Sequence, residues 1–141
     1  MITIRAANRQ DRARLAVIYF EVRKAAFTWA PPNLFKLEDF ETDTVGETIF
    51  VANQGDRIMG FVSLYEKDKF IHHLFVDPRY QKSGLGSLLL DRAVKALGLP
   101  VRLKCVLLNT QGCEFYQRRG WKIESTTNDG LVDPYHTFIL L

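Results

Sequence analysis

One short stretch limits this chain to a small set of folds. Residues 71–92 read Ile71-His72-His73-Leu74-Phe75-Val76-Asp77-Pro78-Arg79-Tyr80-Gln81-Lys82-Ser83-Gly84-Leu85-Gly86-Ser87-Leu88-Leu89-Leu90-Asp91-Arg92. An apolar strand enters a polar, glycine-bearing turn, and a leucine-rich helix leaves it. A helix that opens on such a turn presents free backbone N–H groups and the positive end of its dipole, which suits an anion. Glycine at 84 and 86 lets backbone come close without a Cβ in the way. Neither standard nucleotide signature fits. The dinucleotide fingerprint needs a third glycine three residues after Gly86, and the phosphate loop needs Gly-Lys-Ser/Thr. A pair of glycines also serves a turn that binds nothing, so the pair alone does not decide the function.

The length of 141 residues suits one domain around one core. A net charge of +3 without a long basic run argues against a nucleic-acid partner. Arg118-Arg119 is the densest basic patch near the motif. No stretch approaches the roughly 18 apolar residues of a membrane span. The segment Met1–Arg5 reads as a strand rather than a signal peptide, so a cytoplasmic location is expected. Cys105 and Cys113 are then expected to be reduced thiols.

Patterning along the chain places the other elements. Ile2–Arg5 alternates as a first strand. Asn8 with Asp11 three residues on opens a helix running to about Phe27, with Leu15, Ile18, Tyr19, Val22 and Ala26 buried. Pro31-Pro32 breaks it, and Lys36–Thr42 reads as a weak short helix. Glu47–Asn53 and Ile58–Glu66 form a hairpin, followed by a strand over Lys69–Val76. The motif helix spans Gly84–Leu97, with Leu85, Leu88, Leu89, Ala93 and Leu97 on one stripe. Val101–Leu108 reads as a strand buried on both faces, Thr110–Arg119 as a helix closed by Gly120, and Trp121–Thr127 with Tyr135–Leu140 as a final strand pair. This order implies an α/β chain with a mixed sheet and helices on both faces.

Val76-Asp77-Pro78-x-Tyr80-Gln81-x-x-Gly84-Leu85-Gly86 resembles the pyrophosphate motif of the GNAT superfamily, the acetyl-CoA-dependent N-acyltransferases. Asn109 after the buried strand, with Phe115-Tyr116-x-x-x-Gly120-Trp121, resembles a second segment of that family. The resemblance implies a mostly antiparallel sheet of about seven strands flanked by about four helices. It also implies a V-shaped splay between the fourth and fifth strands. It further implies acetyl-CoA as co-substrate, no metal, a primary amine of a small molecule or peptide as acceptor, and direct attack in a ternary complex. Dimers through the C-terminal strands are common in the family. A non-catalytic acyl-CoA-binding sensor of the same fold is the rival reading.

By the same resemblance, the backbone of Leu74, Phe75 and Val76 holds the pantetheine arm. The N–H groups of Gln81, Lys82, Ser83, Gly84, Leu85, Gly86 and Ser87 take the pyrophosphate, with the Lys82 charge beside it. Asn109 bonds the cofactor arm or serves as an ordinary helix N-cap. Tyr116 protonates the leaving thiolate or simply packs in the core. The base is less determined. His72 matches a position that is histidine in some relatives, and neutral imidazole suits proton abstraction from an ammonium group. His73, Glu66 and a water chain stay open. Strict alternation places His72 with Leu74 and Val76 on one face, and His73 with Ile71 and Phe75 on the other, unless a bulge intervenes.

The acceptor side is expected between the first helix and the last strands. Phe27, Trp29, Phe35 and Phe40 line a pocket there or form core. An acidic rim of Glu38, Asp39, Glu41, Asp43 and Glu47 would favour a cationic amine, although solvated charge is the ordinary role of such residues.

Overall fold

The computed structural model describes residues 1–81 and 83–141. Seven strands form one sheet: β1 (Thr3–Ala6), β2 (Thr48–Gln54), β3 (Arg57–Tyr65), β4 (Phe70–Val76), β5 (Val101–Val106), β6 (Lys122–Thr127) and β7 (Tyr135–Leu140). Their spatial order is β1-β2-β3-β4-β5-β7-β6. Every neighbouring pair is antiparallel except β4 and β5, which run parallel. Four α-helices complete the fold: α1 (Arg12–Ala26), α2 (Asp39–Asp43), α3 (Leu85–Leu97) and α4 (Thr110–Arg118).

Two apolar clusters sandwich the sheet. On one face Leu15, Ile18, Tyr19 and Val22 of α1 and Phe40 of α2 pack on Ile49, Val51 and Phe61. On the other, Leu85, Leu89, Leu90 and Ala93 of α3 pack on Phe50, Ala52, Val62, Leu64 and Leu103. Residues of β2 and β3 thus serve the two faces alternately, which is why these strands read as unbroken apolar runs.

Three local expectations change. β5 is buried on one face only, since Arg102, Lys104 and Val106 alternate with the buried Val101, Leu103 and Cys105. Leu88 is 46% exposed and Leu90 is buried instead. Helical steps that carry the stripe through Ala93 to Leu97 turn toward Leu90 and away from Leu88. The first helix begins with a separate 3-10 turn, Arg9–Asp11, closed by a reciprocal Asn8–Asp11 capping box.

Candidate active site

The β4–β5 ladder holds only two residue pairs, Phe70↔Arg102 and Ile71↔Leu103. Beyond Ile71 the strands part, and β5 continues by pairing with β7 alone. The β4 backbone from His72 to Val76 therefore has an unpaired edge on that side, a template for an extended ligand. The gap is a cleft of about 750 Å³ lined by His72–Val76, Lys104–Val106, α1 residues Tyr19, Val22 and Arg23, the turn at Tyr80–Gln81 and Gly84–Ser87, and α4 residues including Tyr116.

At one end of the cleft the chain turns into α3. Asp77 is buried, its N–H donates to Met59 O at 2.8 Å, and its carboxylate accepts from Arg79 N at 3.0 Å. Arg14 reaches the same carboxylate at 2.6 Å. Gln81 Nε2 donates to Val76 O at 3.1 Å, and Ser83 Oγ donates to Tyr80 O. These two side chains brace the turn from within. Gly84 holds φ +84°, the left-handed backbone a glycine adopts without strain. Gly86 serves a different need. A Cβ there would stand 3.3 Å from Phe115 Cζ, so this glycine lets α4 pack against the start of α3. Leu88 N bonds Gly84 O, and the amides of Leu85, Gly86 and Ser87 before it, in the first turn of the helix, have no backbone partner among the described residues. The expectation for Lys82 lies outside the described residues.

Arg119 joins this end, a residue that motif matching passed over. Its Nε donates to Ser87 Oγ at 2.7 Å and its guanidinium stacks on Phe115 at 3.8 Å. The sequence signals for it were the basic end of α4 and the density of charge at Arg118-Arg119.

Tyr116 and Asn109 flank the middle of the cleft. Asn109 Oδ1 caps α4 through Gly112 N at 3.1 Å, so the ordinary N-cap role is present at a residue that also lines the cleft. The Tyr116 ring packs on Phe115, Trp121 and Phe138. Burial, with lesser contributions from Cys105 and Cys113, pushes its phenol well above the ordinary value, so it stays protonated at neutral pH. Burial likewise pushes the Cys105 thiol up, which makes it a poor nucleophile. Both cysteines are free thiols.

The histidines depart from strict alternation. Ser63 pairs with His73 while its neighbour Leu64 pairs with Ile71, so His72 is the extra residue of a β-bulge. Ile71 and Leu74 consequently serve the α3 face, whereas His73 and Phe75 stack against each other and against Tyr19 on the α1 face. The bulge brings both imidazoles to Glu47. His72 Nδ1 hydrogen-bonds Glu47 Oε2, Ser63 Oγ donates to Glu47 Oε1, and His73 Nε2 lies 4.0 Å from Glu47 Oε1. The Glu47 side chain is only 3% exposed. Burial lowers the His73 pKa more than Glu47 and the Asp43 carbonyl raise it, so His73 is neutral at pH 7. Glu66 bonds Thr48 instead, at 2.9 Å.

The remaining acceptor-side expectations divide. Phe40 is fully buried core, Phe27 lines the cleft, and Trp29 and Phe35 pack beside Phe27. The acidic rim is largely spent on internal contacts. Asp39 pairs with Arg23, Glu41 with Arg12, and Asp43 accepts from Tyr19 Oη at 2.7 Å.

Comparisons with known proteins agree with this architecture. No curated protein sequence matches the chain. A GCN5-related N-acetyltransferase from Rhodopseudomonas palustris superposes with a TM-score of 0.79 at 20% identity, covering 97% of this chain and 93% of that one. YncA from Salmonella typhimurium, a structure with its cofactor acetyl-CoA, gives 0.69 at 18% identity, with 99% and 92% covered. The ribosomal-protein-S18-alanine N-acetyltransferase from Escherichia coli gives 0.73 at 20% identity, with 99% and 93% covered. The sequence model of the Acetyltransferase (GNAT) family matches residues 13–121. The chain belongs to the GNAT acetyltransferase family.

Proposed function

We propose that this protein transfers the acetyl group of acetyl-CoA to a primary amine by direct attack in a ternary complex. The observation that carries this reading is the continuity of one cleft. A strand edge at His72–Val76 that β5 leaves unpaired leads to the first-turn amides of α3, and Tyr116 lines the same cleft. The YncA structure with acetyl-CoA supports the choice of donor. A bisubstrate analogue in Arabidopsis thaliana NAA60 and the alanine acceptor of the E. coli enzyme support an amine as acceptor.

In this reading the pantetheine arm pairs with the free edge of Leu74, Phe75 and Val76. The pyrophosphate sits on the N–H groups from Gln81 to Ser87, with Arg119 adding charge. Asn109 Nδ2 bonds the arm. The acceptor amine enters from the α1 side, and His72 takes its proton. Glu47, bonded to Nδ1, fixes the tautomer that leaves the Nε2 lone pair free. The neutral amine attacks the thioester carbonyl, the C–N bond forms, and charge gathers on the carbonyl oxygen near the Val76 N–H. Collapse breaks the C–S bond, the Tyr116 hydroxyl gives its proton to the departing thiolate, and the proton shed by the new amide nitrogen restores the phenol. The phenol is protonated at neutral pH and so holds the proton to be given.

The test is release of free CoA from acetyl-CoA across a panel of amines, peptides and aminoglycosides, with calorimetric acetyl-CoA binding on the same sample. Binding with release for one acceptor class supports the enzyme. Binding without release from any acceptor favours an acyl-CoA sensor, and absence of binding refutes the cofactor assignment.

A further inference from the structure

Glu47 differs from the other buried acids of this protein. Asp77 faces Arg14 and Arg79, and Asp11 faces Arg5. Among the described residues, Glu47 has no arginine or lysine partner and faces only His72, His73 and the hydroxyl of Ser63. A buried carboxylate calls for a cation or for hydrogen bonds that replace one. One donor atom from each of Glu47, His72 and His73 lies within 4.8 Å of the other two. We propose that these three side chains bind a divalent transition-metal ion of the Zn²⁺ type.

The donor set suits such an ion. Two imidazoles and a carboxylate are ligands of intermediate softness, favoured by zinc and its neighbours over calcium or magnesium. His73 Nε2 faces Asp43 O at 3.3 Å in this structure, a bond that the ion would displace. The geometry is close to that required. Tetrahedral ligands at bonds of about 2.1 Å stand about 3.4 Å apart. His73 Nε2 and Glu47 Oε1 are 4.0 Å apart, and small ring rotations close the difference. The His72 side chain is 39% exposed on its bulge, and its ring stacks on Tyr65 with Nδ1 already turned to Glu47. The supporting shell is in place as well. Fully buried Ser63 orients the carboxylate, and Tyr19 and Phe75 clamp the His73 ring. Both histidines line the cleft, so a fourth coordination position opens toward solvent and substrate.

Loading the site has a chemical consequence. An imidazole bound to metal through Nδ1 carries its proton on Nε2 and has no lone pair there. Metal would therefore silence the base of the proposed acetyl transfer and act as an inhibitor competing with the acceptor amine. This consequence rests on the base assignment to His72, whereas the metal site does not.

The test uses the full chain stripped with a chelator. Zn²⁺ is titrated calorimetrically, and Co²⁺ by its visible absorption, which reports coordination without reference to activity. One ion per chain is expected. Binding should weaken by about 100-fold in His72→Ala and in Glu47→Gln, as loss of a ligand predicts, and be unchanged in His136→Ala. His136 bonds Thr126 away from the cluster. His72 is largely on the surface, so its variant folds even where Glu47→Gln disturbs the core. No saturable binding, or equal affinity in parent and His72→Ala, overturns the proposal. Saturable binding lost in His72→Ala, with CoA release unaffected by Zn²⁺, upholds the metal site and removes His72 as the base.

Discussion

Replacing Gly60 by alanine tests whether the β3–β4 contact sets the geometry of the cleft. Gly60 sits in β3 opposite Val76 of β4, with ordinary strand backbone. Its need for glycine is steric. A Cβ there would lie 2.7 Å from Phe75 O, 3.1 Å from Val76 Cα and 3.4 Å from Leu89 Cδ1. The two nearest atoms are backbone, so no side-chain rotation relieves them, and β4 must move by about half an ångström. Overpacking of this kind costs about 2 kcal/mol. For a chain of this size that lowers Tm by about 7 °C. The direction of movement matters more than its cost. Past Ile71, β4 is unpaired on the side away from β3, so the displacement goes into the cleft. There it shifts the Phe75 and Val76 backbone proposed to bond the pantetheine arm. Losing one such hydrogen bond, worth about 1 kcal/mol, weakens acetyl-CoA binding by roughly fivefold. Thermal unfolding followed by circular dichroism, with calorimetric titration of acetyl-CoA, reads both numbers. Unchanged Tm would refute the steric argument. A lowered Tm with unchanged acetyl-CoA affinity would refute the coupling of this contact to the cleft.

Three further outcomes are expected. Tyr116→Phe should lower kcat for CoA release by about 100-fold or more while leaving Tm nearly unchanged, because the hydroxyl makes no hydrogen bond to another described residue; an unaltered kcat removes Tyr116 as the acid. Arg119→Ala should weaken acetyl-CoA binding by about five- to tenfold in low salt and less in high salt, with kcat retained; calorimetry at two ionic strengths checks this. Asp77→Asn should cost about 1–2 kcal/mol at neutral pH in urea unfolding. Burial raises the Asp77 pKa, but the hydrogen bonds and charge of Arg79, with the charge of Arg14, outweigh it and hold the folded value below the usual range. The carboxylate therefore stabilises the fold above its unfolded pKa of about 3.9, and that contribution is lost as pH falls through the lower folded value. The gap between parent and variant should narrow below about pH 4, and a gap independent of pH would refute the ionic account.

What the sequence made legible, and what it hid, divides along a physical line. Strand β2, strand β3 and helix α3 announce themselves because their periodicity is carried by many residues, each reporting the same face. The turn at Gly84 and the cap at Asn109 are local, and a few neighbouring residues specify them. Gly60 was invisible because its constraint lies in a strand whose partner residue sits sixteen residues on, and its own φ gives no sign of it. The Glu47 cluster was hidden for the same reason in stronger form. Alternation along β4 assumes an unbroken ladder, yet the register slips between Ser63 and Leu64 on the partner strand. That slip is a property of two strands together, so no reading of Ile71–Val76 alone contains it. The acidic residues between α1 and β2 show a similar limit. Their composition suggested a charged rim, but charge alone does not reveal that Arg12 and Arg23 of α1 lie within reach to neutralise it. Glu47 escapes those arginines and meets the bulge instead. A bulge costs a ladder its regular pairing and re-aims a side chain. Here it turns two consecutive imidazoles, which a regular strand would send to opposite faces, toward one buried carboxylate. The one interruption in the β3–β4 pairing is thus what brings His72, His73 and Glu47 together.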